Sequence, residues 1–246
     1  MPPSNQTILT ASQFVKKLNS YRSAAELKKY HRYFVFDEKK AGDGDQFIGV
    51  RMGKVFGLAK EFIDMPPNEI EKLLESPIHE VRAGGCSIMD KQARSKKTSD
   101  QRRTELYDLY MRLHDRINNW DLVDLACIHV VGGYLQDKPR RTLYKLARSK
   151  NTWERRTAIV STAYFIRQRD VDDVFRIAEI LLHDKEDPIH KATGWMLRFA
   201  GDKDCQRLMR FLDKHAAIMP RVALRYTIEH LDKKQRDRYL GLRKAG

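Results

Sequence analysis

The sequence predicts an all-α protein, on three observations. Its hydrophobic periodicity is helical, helix-capping residues punctuate it at regular intervals, and sustained period-two alternation is missing. From Val171 the apolar positions Val174, Ile177, Ala178, Leu181 and Leu182 recur with the three-and-four spacing of one helix face. Ala158, Ile159, Thr162, Ala163 and Ile166 repeat the pattern after Trp153. No Asn-Gly or Asp-Gly turn joins two strand-like runs.

Along the chain, Ser23 with Glu26 has the form of a capping box, which starts a helix there. Residues 38–45, with Lys39, Lys40, Gly42 and Gly44, read as a flexible loop, and Gly42-Asp43-Gly44-Asp45 as a turn with no metal bound. Pro66-Pro67 separates a helix over 55–63 from the next. Ser76-Pro77 and Asp187-Pro188 each offer an N-cap followed by proline at the first helical position, where a missing N–H is harmless. Residues 122–135 are apolar nearly all round and predict a buried helix, and Asn151 with Glu154 imitates a capping box before another. These signals, spaced by about fifteen to twenty residues, predict about a dozen helices on short loops.

A faint internal repeat runs through this pattern. Ser76-Pro77-Ile78-His79 parallels Asp187-Pro188-Ile189-His190, and a small residue follows at the same offset (Ala83, Gly194, and Ala158 after Asn151-Thr152-Trp153). Small residues on successive helices suit close stacking, as in an α-solenoid of the HEAT kind, though helical bundles produce similar repeats. The expectation is one domain over 10–246 behind a flexible stretch, 1–9.

The 246 residues carry 47 Lys and Arg against 33 Asp and Glu, a formal charge of +14. That excess calls for a polyanionic partner, whether DNA, RNA or an acidic membrane surface. No run approaches the roughly 20 apolar residues of a membrane span, and the opening Met1-Pro2-Pro3-Ser4 lacks the pattern of a secretory signal. Cys86, Cys127 and Cys205 are far apart, without a CxxC pair, which fits reduced thiols in the cytoplasm. The nucleotide-loop, deaminase, HExxH and EF-hand signatures are missing, and neither metal nor organic cofactor is indicated. His79 and His190, at helix starts, read as capping or packing residues.

Three residues could carry chemistry. Asp124 is the one charged residue in the apolar run 122–135, on a stripe with Trp120 and Cys127. A carboxylate there is paired, protonated, bonded to amides near the helix start, or facing a cleft. Arg156 shares a face with Trp153 and is either a phosphate ligand or the partner of an acid such as Glu154. Trp195 follows Gly194, a place where a ligand or another backbone can approach closely, or where the indole is simply core.

Three motifs, in order, resemble the AlkD-like DNA alkylation repair family: Trp120-Asp121-x-Val123-Asp124, Trp153-x-x-Arg156-x-Ala158-Ile159, and Lys191-Ala192-x-Gly194-Trp195-x-Leu197-Arg198. Weaker similarity extends through 47–51 and 74–89. The resemblance implies a right-handed superhelix of HEAT-like repeats whose concave basic face holds duplex DNA. It further implies a monofunctional DNA glycosylase that releases N3- or N7-alkylated purines such as 3-methyladenine and 7-methylguanine, without full base flipping. By the same resemblance Asp124 is the catalytic carboxylate, Trp120 and Trp195 flank the lesion's deoxyribose, and Arg156 contacts the DNA backbone. Tyr30 aligns with a DNA-facing tyrosine. Arg51, Trp153, Arg155, Lys191 and Arg198 complete the expected DNA-binding set, with Arg140, Arg141, Lys145 and Arg148 as further phosphate neutralisers. The expected protein is a cytoplasmic, nucleoid-associated monomer. Two departures stand out: Asn119 sits where relatives can carry a second tryptophan, and the loop 38–45 is longer than expected. A non-catalytic HEAT-like protein that binds damaged DNA or junctions is the competing reading, and a protein-binding scaffold would leave the +14 charge unexplained.

Overall fold

The computed structural model describes residues 8–33 and 45–242, with side chains omitted at 31–33. All of the loop 38–45 except Asp45, and all of the stretch 1–9 except Ile8 and Leu9, lie outside the described residues. Among the described residues the protein is all-α, with fifteen α-helices and no strand. Two compact units divide between Val130 and Val131.

In the first unit, helix α1 (Ala11–Asn19) opens with a complete capping box, Thr10 and Gln13, and buries Phe14 and Leu18. Helix α2 (Ala24–Tyr33) starts as expected, the Glu26 N–H donating to the Ser23 hydroxyl at 3.3 Å. After an extended stretch, α3 (Met52–Glu61) and α4 (Pro67–Leu74) both pack on α5 (His79–Arg94), the most deeply buried helix of this unit. The expected Ser76 cap is displaced: α5 begins at His79. Gln46 forms a parallel bridge with Ile78, donating to the Pro77 carbonyl at 2.9 Å and accepting from the His79 N–H at 2.8 Å. That pairing holds Ile78 extended and delays the helix. Helix α6 (Asp100–Arg112) and a short 3-10 turn (His114–Arg116) lead to α7 (Trp120–Cys127), which packs on α5.

The expected continuous helix over 122–135 ends as an α-helix at Cys127 and continues as a π-helical segment, Ile128–Gly133. Such wider turns mark places where a helix absorbs an extra residue. In the second unit Gly132 lies so close to its neighbour that an added Cβ would sit 2.4 Å from the Ser161 carbonyl oxygen.

The second unit continues with α8 (Arg141–Leu146), α9 (Thr152–Ser161), α10 (Ala163–Arg167) and α11 (Asp172–Leu181). Then follow α12 (Asp187–Gly201), α13 (Cys205–His215), α14 (Arg221–Thr227) and α15 (Lys233–Gly241). Helix α12 is the hub, packed on α9, α11, α13 and α14. Asp187 is its first residue rather than its cap, and its carboxylate pairs with Lys191 one turn on, at 2.6 Å. The small residues of the repeat, Ala83, Ala158 and Gly194, are all buried. Gly194 lets α12 approach the α14 backbone: an added Cβ would lie 2.5 Å from the Ala223 carbonyl oxygen.

Candidate nucleic-acid interface

The centre of interest in the first unit is α7. Trp120 begins it and is 45 % exposed, unusual for an indole, while Asp124 follows one helical turn later and is half-buried. Spacing of four residues puts the two on one face of the helix. Asp124 is therefore within reach of solvent beside an exposed ring, not sealed in the core.

Beneath α7 lies a buried ionic network. His79, fully buried, has its Nε2 2.7 Å from a carboxylate oxygen of Asp121, the residue after Trp120. Its Nδ1 faces Asp45 at 3.7 Å. Asp45 in turn accepts from Arg82 at 2.7 Å and from the Asn118 amide at 3.2 Å, and Arg82 also donates to Asn118 and to the Ser76 carbonyl. Phe47 stacks on the imidazole with centroids 4.8 Å apart, and Tyr30 packs against Phe47. Burial pulls the imidazole pKa down, but the Asp121 carboxylate, by charge and hydrogen bond, and Asp45 outweigh it and hold the group up at about 9.

Tyr30 is half-buried, and its hydroxyl donates to the Val50 carbonyl at 2.5 Å. Burial, with the Glu80, Glu26 and Asp121 carboxylates, pushes its phenol well above the ordinary range. The strand-like stretch beside it is shaped by Glu80, whose buried carboxylate accepts from the consecutive N–H groups of Ile48, Gly49 and Val50 at 2.8–3.3 Å. Gly49 meets this demand with φ +74°, a conformation side chains disfavour, and an added Cβ would collide with the Ser23 carbonyl at 2.4 Å. Arg51 emerges next as the N-cap of α3, exposed, and pairs with Glu26 at 2.7 Å. Arg51 and Lys29, by hydrogen bond and charge, hold the Glu26 carboxyl down at about 2.

In the second unit the predicted residues gather on α9 and α12. Asn151 caps α9 by accepting from the Trp153 N–H at 2.8 Å, leaving Trp153 half-buried in the first turn. Arg156, 6 % exposed, donates to the Pro188 carbonyl at 2.6 Å and so ties α9 to the start of α12. Lys191 and Trp195 lie one turn apart on α12, exposed and half-buried respectively. Arg198 pairs with Glu229. Arg155 is held by Asp184 at 2.5 and 3.2 Å and by the carbonyls of Ser149 and Lys150 at 3.0 Å, so it braces the loop before α9. Arg140 is similarly engaged, donating to Asp170 and Asp173 at 2.6 Å and lying over the Phe165 ring at 3.6 Å. Of the further expected phosphate neutralisers, Arg141, Lys145 and Arg148 are exposed. His190, in the first turn of α12, donates from Nε2 to the Asp184 carbonyl at 2.7 Å.

No group of His, Cys, Asp and Glu among the described residues is arranged to hold a metal, and no helix among them is long and apolar enough to cross a membrane. Cys86 and Cys127 are buried thiols, and burial pushes Cys86 up to about 12. Sequence reasoning missed the network of His79, Asp121, Asp45, Arg82 and Asn118. The paired positions lie dozens of residues apart, and the only local signal was a histidine at a helix start.

No curated protein matches the chain. A solved structure described as "Predicted DNA alkylation repair enzyme from Enterococcus faecalis" superposes with a TM-score of 0.65 at 16 % identity, covering 86 % of this chain and 97 % of that one. Likeness at that identity establishes the shared fold. Residues 14–231 match the family described as DNA alkylation repair enzyme. With the family pattern spanning nearly the whole chain, this protein belongs to the DNA alkylation repair enzyme family.

Proposed function

We propose that this protein is a monofunctional DNA glycosylase that hydrolyses the N-glycosidic bond of N3- or N7-alkylated purines in duplex DNA and leaves an abasic site. The observation that carries the reading is the exposed indole of Trp120 one helical turn from the half-buried Asp124. Family membership and the +14 charge support it.

An N3- or N7-alkylated purine is already cationic and leaves without a general acid. As the C1′–N bond breaks, its electron pair goes to the purine and cancels the purine's charge, while positive charge develops on the sugar. The Asp124 carboxylate stabilises that charge and orients the water whose oxygen bonds to C1′, the surplus proton passing to solvent. One acid is enough, and uncharged purines are discriminated against by their poor leaving ability. Indole faces suit a sugar edge beside a cation, worth about 0.5–2 kcal/mol each, which is the role of Trp120 and Trp195. Arg156 fixes the register of the backbone, and Arg51, Lys191, Tyr30, Trp153, Arg155 and Arg198 line the surrounding interface, where phosphate contacts position without specifying sequence. On this reading the lesion stays in or near the stack, and the protein acts as a monomer on the nucleoid.

Incubating the protein with methylated duplex should release free 7-methylguanine or 3-methyladenine, with strand breaks appearing only after alkali. Tight duplex binding with no base released by the wild type would replace this reading with that of a non-catalytic damage-binding protein.

A further inference from the structure

We propose that His79, as a buried cation between Asp121 and Asp45, is the positioning residue that sets the first turn of α7 and thereby the placement of Trp120 and Asp124. The part of this inference that concerns catalysis rests on the glycosylase reading; the part that concerns α7 does not.

Helix α7 is short and weakly capped by its own sequence. Asn119 spends its side-chain oxygen on the N–H of the very next residue, Trp120, at 2.8 Å. An effective cap accepts from the second or third helical amide instead. Trp120 itself is 45 % exposed. Its neighbours on both sides are fixed: Asn118 is tied to Asp45 and Arg82, and Asp121 to His79. Both ties converge on one buried cluster at the start of α5.

The geometry favours an imidazolium. Nε2 is 2.7 Å from Asp121 and Nδ1 is 3.7 Å from Asp45, so each ring nitrogen faces a carboxylate. A neutral ring has a lone pair on one nitrogen, which would be turned toward negative charge; only the doubly protonated ring suits both. The ring is clamped by Phe47 and fully buried, so it has no alternative orientation with solvent. The surrounding titratable and charged groups are Asp121 from α7, Asp45 and Tyr30 from the elements packed on it, and Arg82, Glu80 and Cys86 on α5 itself. The Arg82 charge opposes protonation; the carboxylates win, and the group titrates near pH 9.

Nitrogen-detected NMR of histidine-labelled wild-type protein tests the first part without any variant. Both His79 ring nitrogens should carry protons at pH 7.5 and lose one near pH 9; a His79 ring that is neutral at pH 7.5 overturns the proposal. For the second part, base release under single-turnover conditions is compared with duplex affinity in His79→Gln and Asp121→Asn. Misplacement of reacting groups by about 1 Å costs as much as 100-fold in rate, so a fall of about tenfold or more is expected with affinity held within about twofold. Asp121→Asn, which keeps the side-chain shape, should also move the alkaline limb of the rate profile to lower pH, because removing the carboxylate makes His79 easier to deprotonate. Unchanged rates and an unchanged alkaline limb in Asp121→Asn would contradict a positioning role. If the wild type releases no base at all, the glycosylase reading fails, while the NMR titration still decides the state of His79.

Discussion

Two buried side chains govern how the first unit presents its residues. Glu80 gathers three consecutive amides and so bends 48–50 into the path that delivers Arg51 to the N-terminus of α3. Glu80→Ala would leave those donors unpaired in the interior, a loss of about 2–4 kcal/mol, read as a lower urea midpoint. His79 makes the stability depend on pH in a definite direction. Its pKa is raised from 6.5 to about 9 by folding, so it favours the folded state fully below pH 6.5 and progressively less as pH rises through 9. The contribution, about 3 kcal/mol by linkage, should show as a falling unfolding free energy between about pH 7 and 9.5 that His79→Gln flattens. A wild-type stability that stays level over that interval would rule out the raised value. Glu80 and His79 follow one another at positions 79 and 80, yet nothing local distinguishes them from ordinary helix-start residues.

At the scale of elements, what periodicity and caps encode was legible: α11 falls where its apolar stripe places it, the stripe after Trp153 runs through α9 and α10, α12 starts at the Asp187-Pro188 signal, and Ser23 and Asn151 cap the helices they precede. The shift of α5 to His79 was not, because it answers to a partner remote in sequence, and nothing in the local pattern marks the π-helical segment after Cys127. Gln46 holds Ile78 extended, and the Ser161 carbonyl crowds Gly132. The candidate site divides the same way. Trp120 and Asp124 belong to one short motif and were readable, as were Trp153 and Arg156. That Arg155 and Arg140 are engaged by carboxylates of Asp184, Asp170 and Asp173 depends on helix packing that no local pattern records. Gly194 reports the packing directly. Gly194→Val should push α12 off the α14 backbone, destabilising by about 1–3 kcal/mol and lowering the melting temperature by several degrees. Arg156→Ala removes a tie between α9 and α12 besides any phosphate contact, so it should lower both the melting temperature and the rate of base release. A rate loss with unchanged stability would assign Arg156 to the DNA alone.

For the whole molecule, the +14 charge and the family assignment make duplex DNA the partner to test. Each phosphate neutralised contributes about 0.9 to the slope of log affinity against log salt, so about six contacts would give a slope near −5. An affinity indifferent to salt would mean that phosphates do not lead binding. Charge can deliver the protein to DNA but cannot break a glycosidic bond, and on the proposed reading that task falls on a single carboxylate. The most direct measurement is therefore single-turnover release of 7-methylguanine by the wild type and by Asp124→Asn, at protein concentrations that saturate the duplex for both. The account predicts that the amide variant binds as tightly and releases base at least about a hundredfold more slowly, the scale of loss when a group opposite developing charge is removed. Equal rates at equal saturation would contradict it.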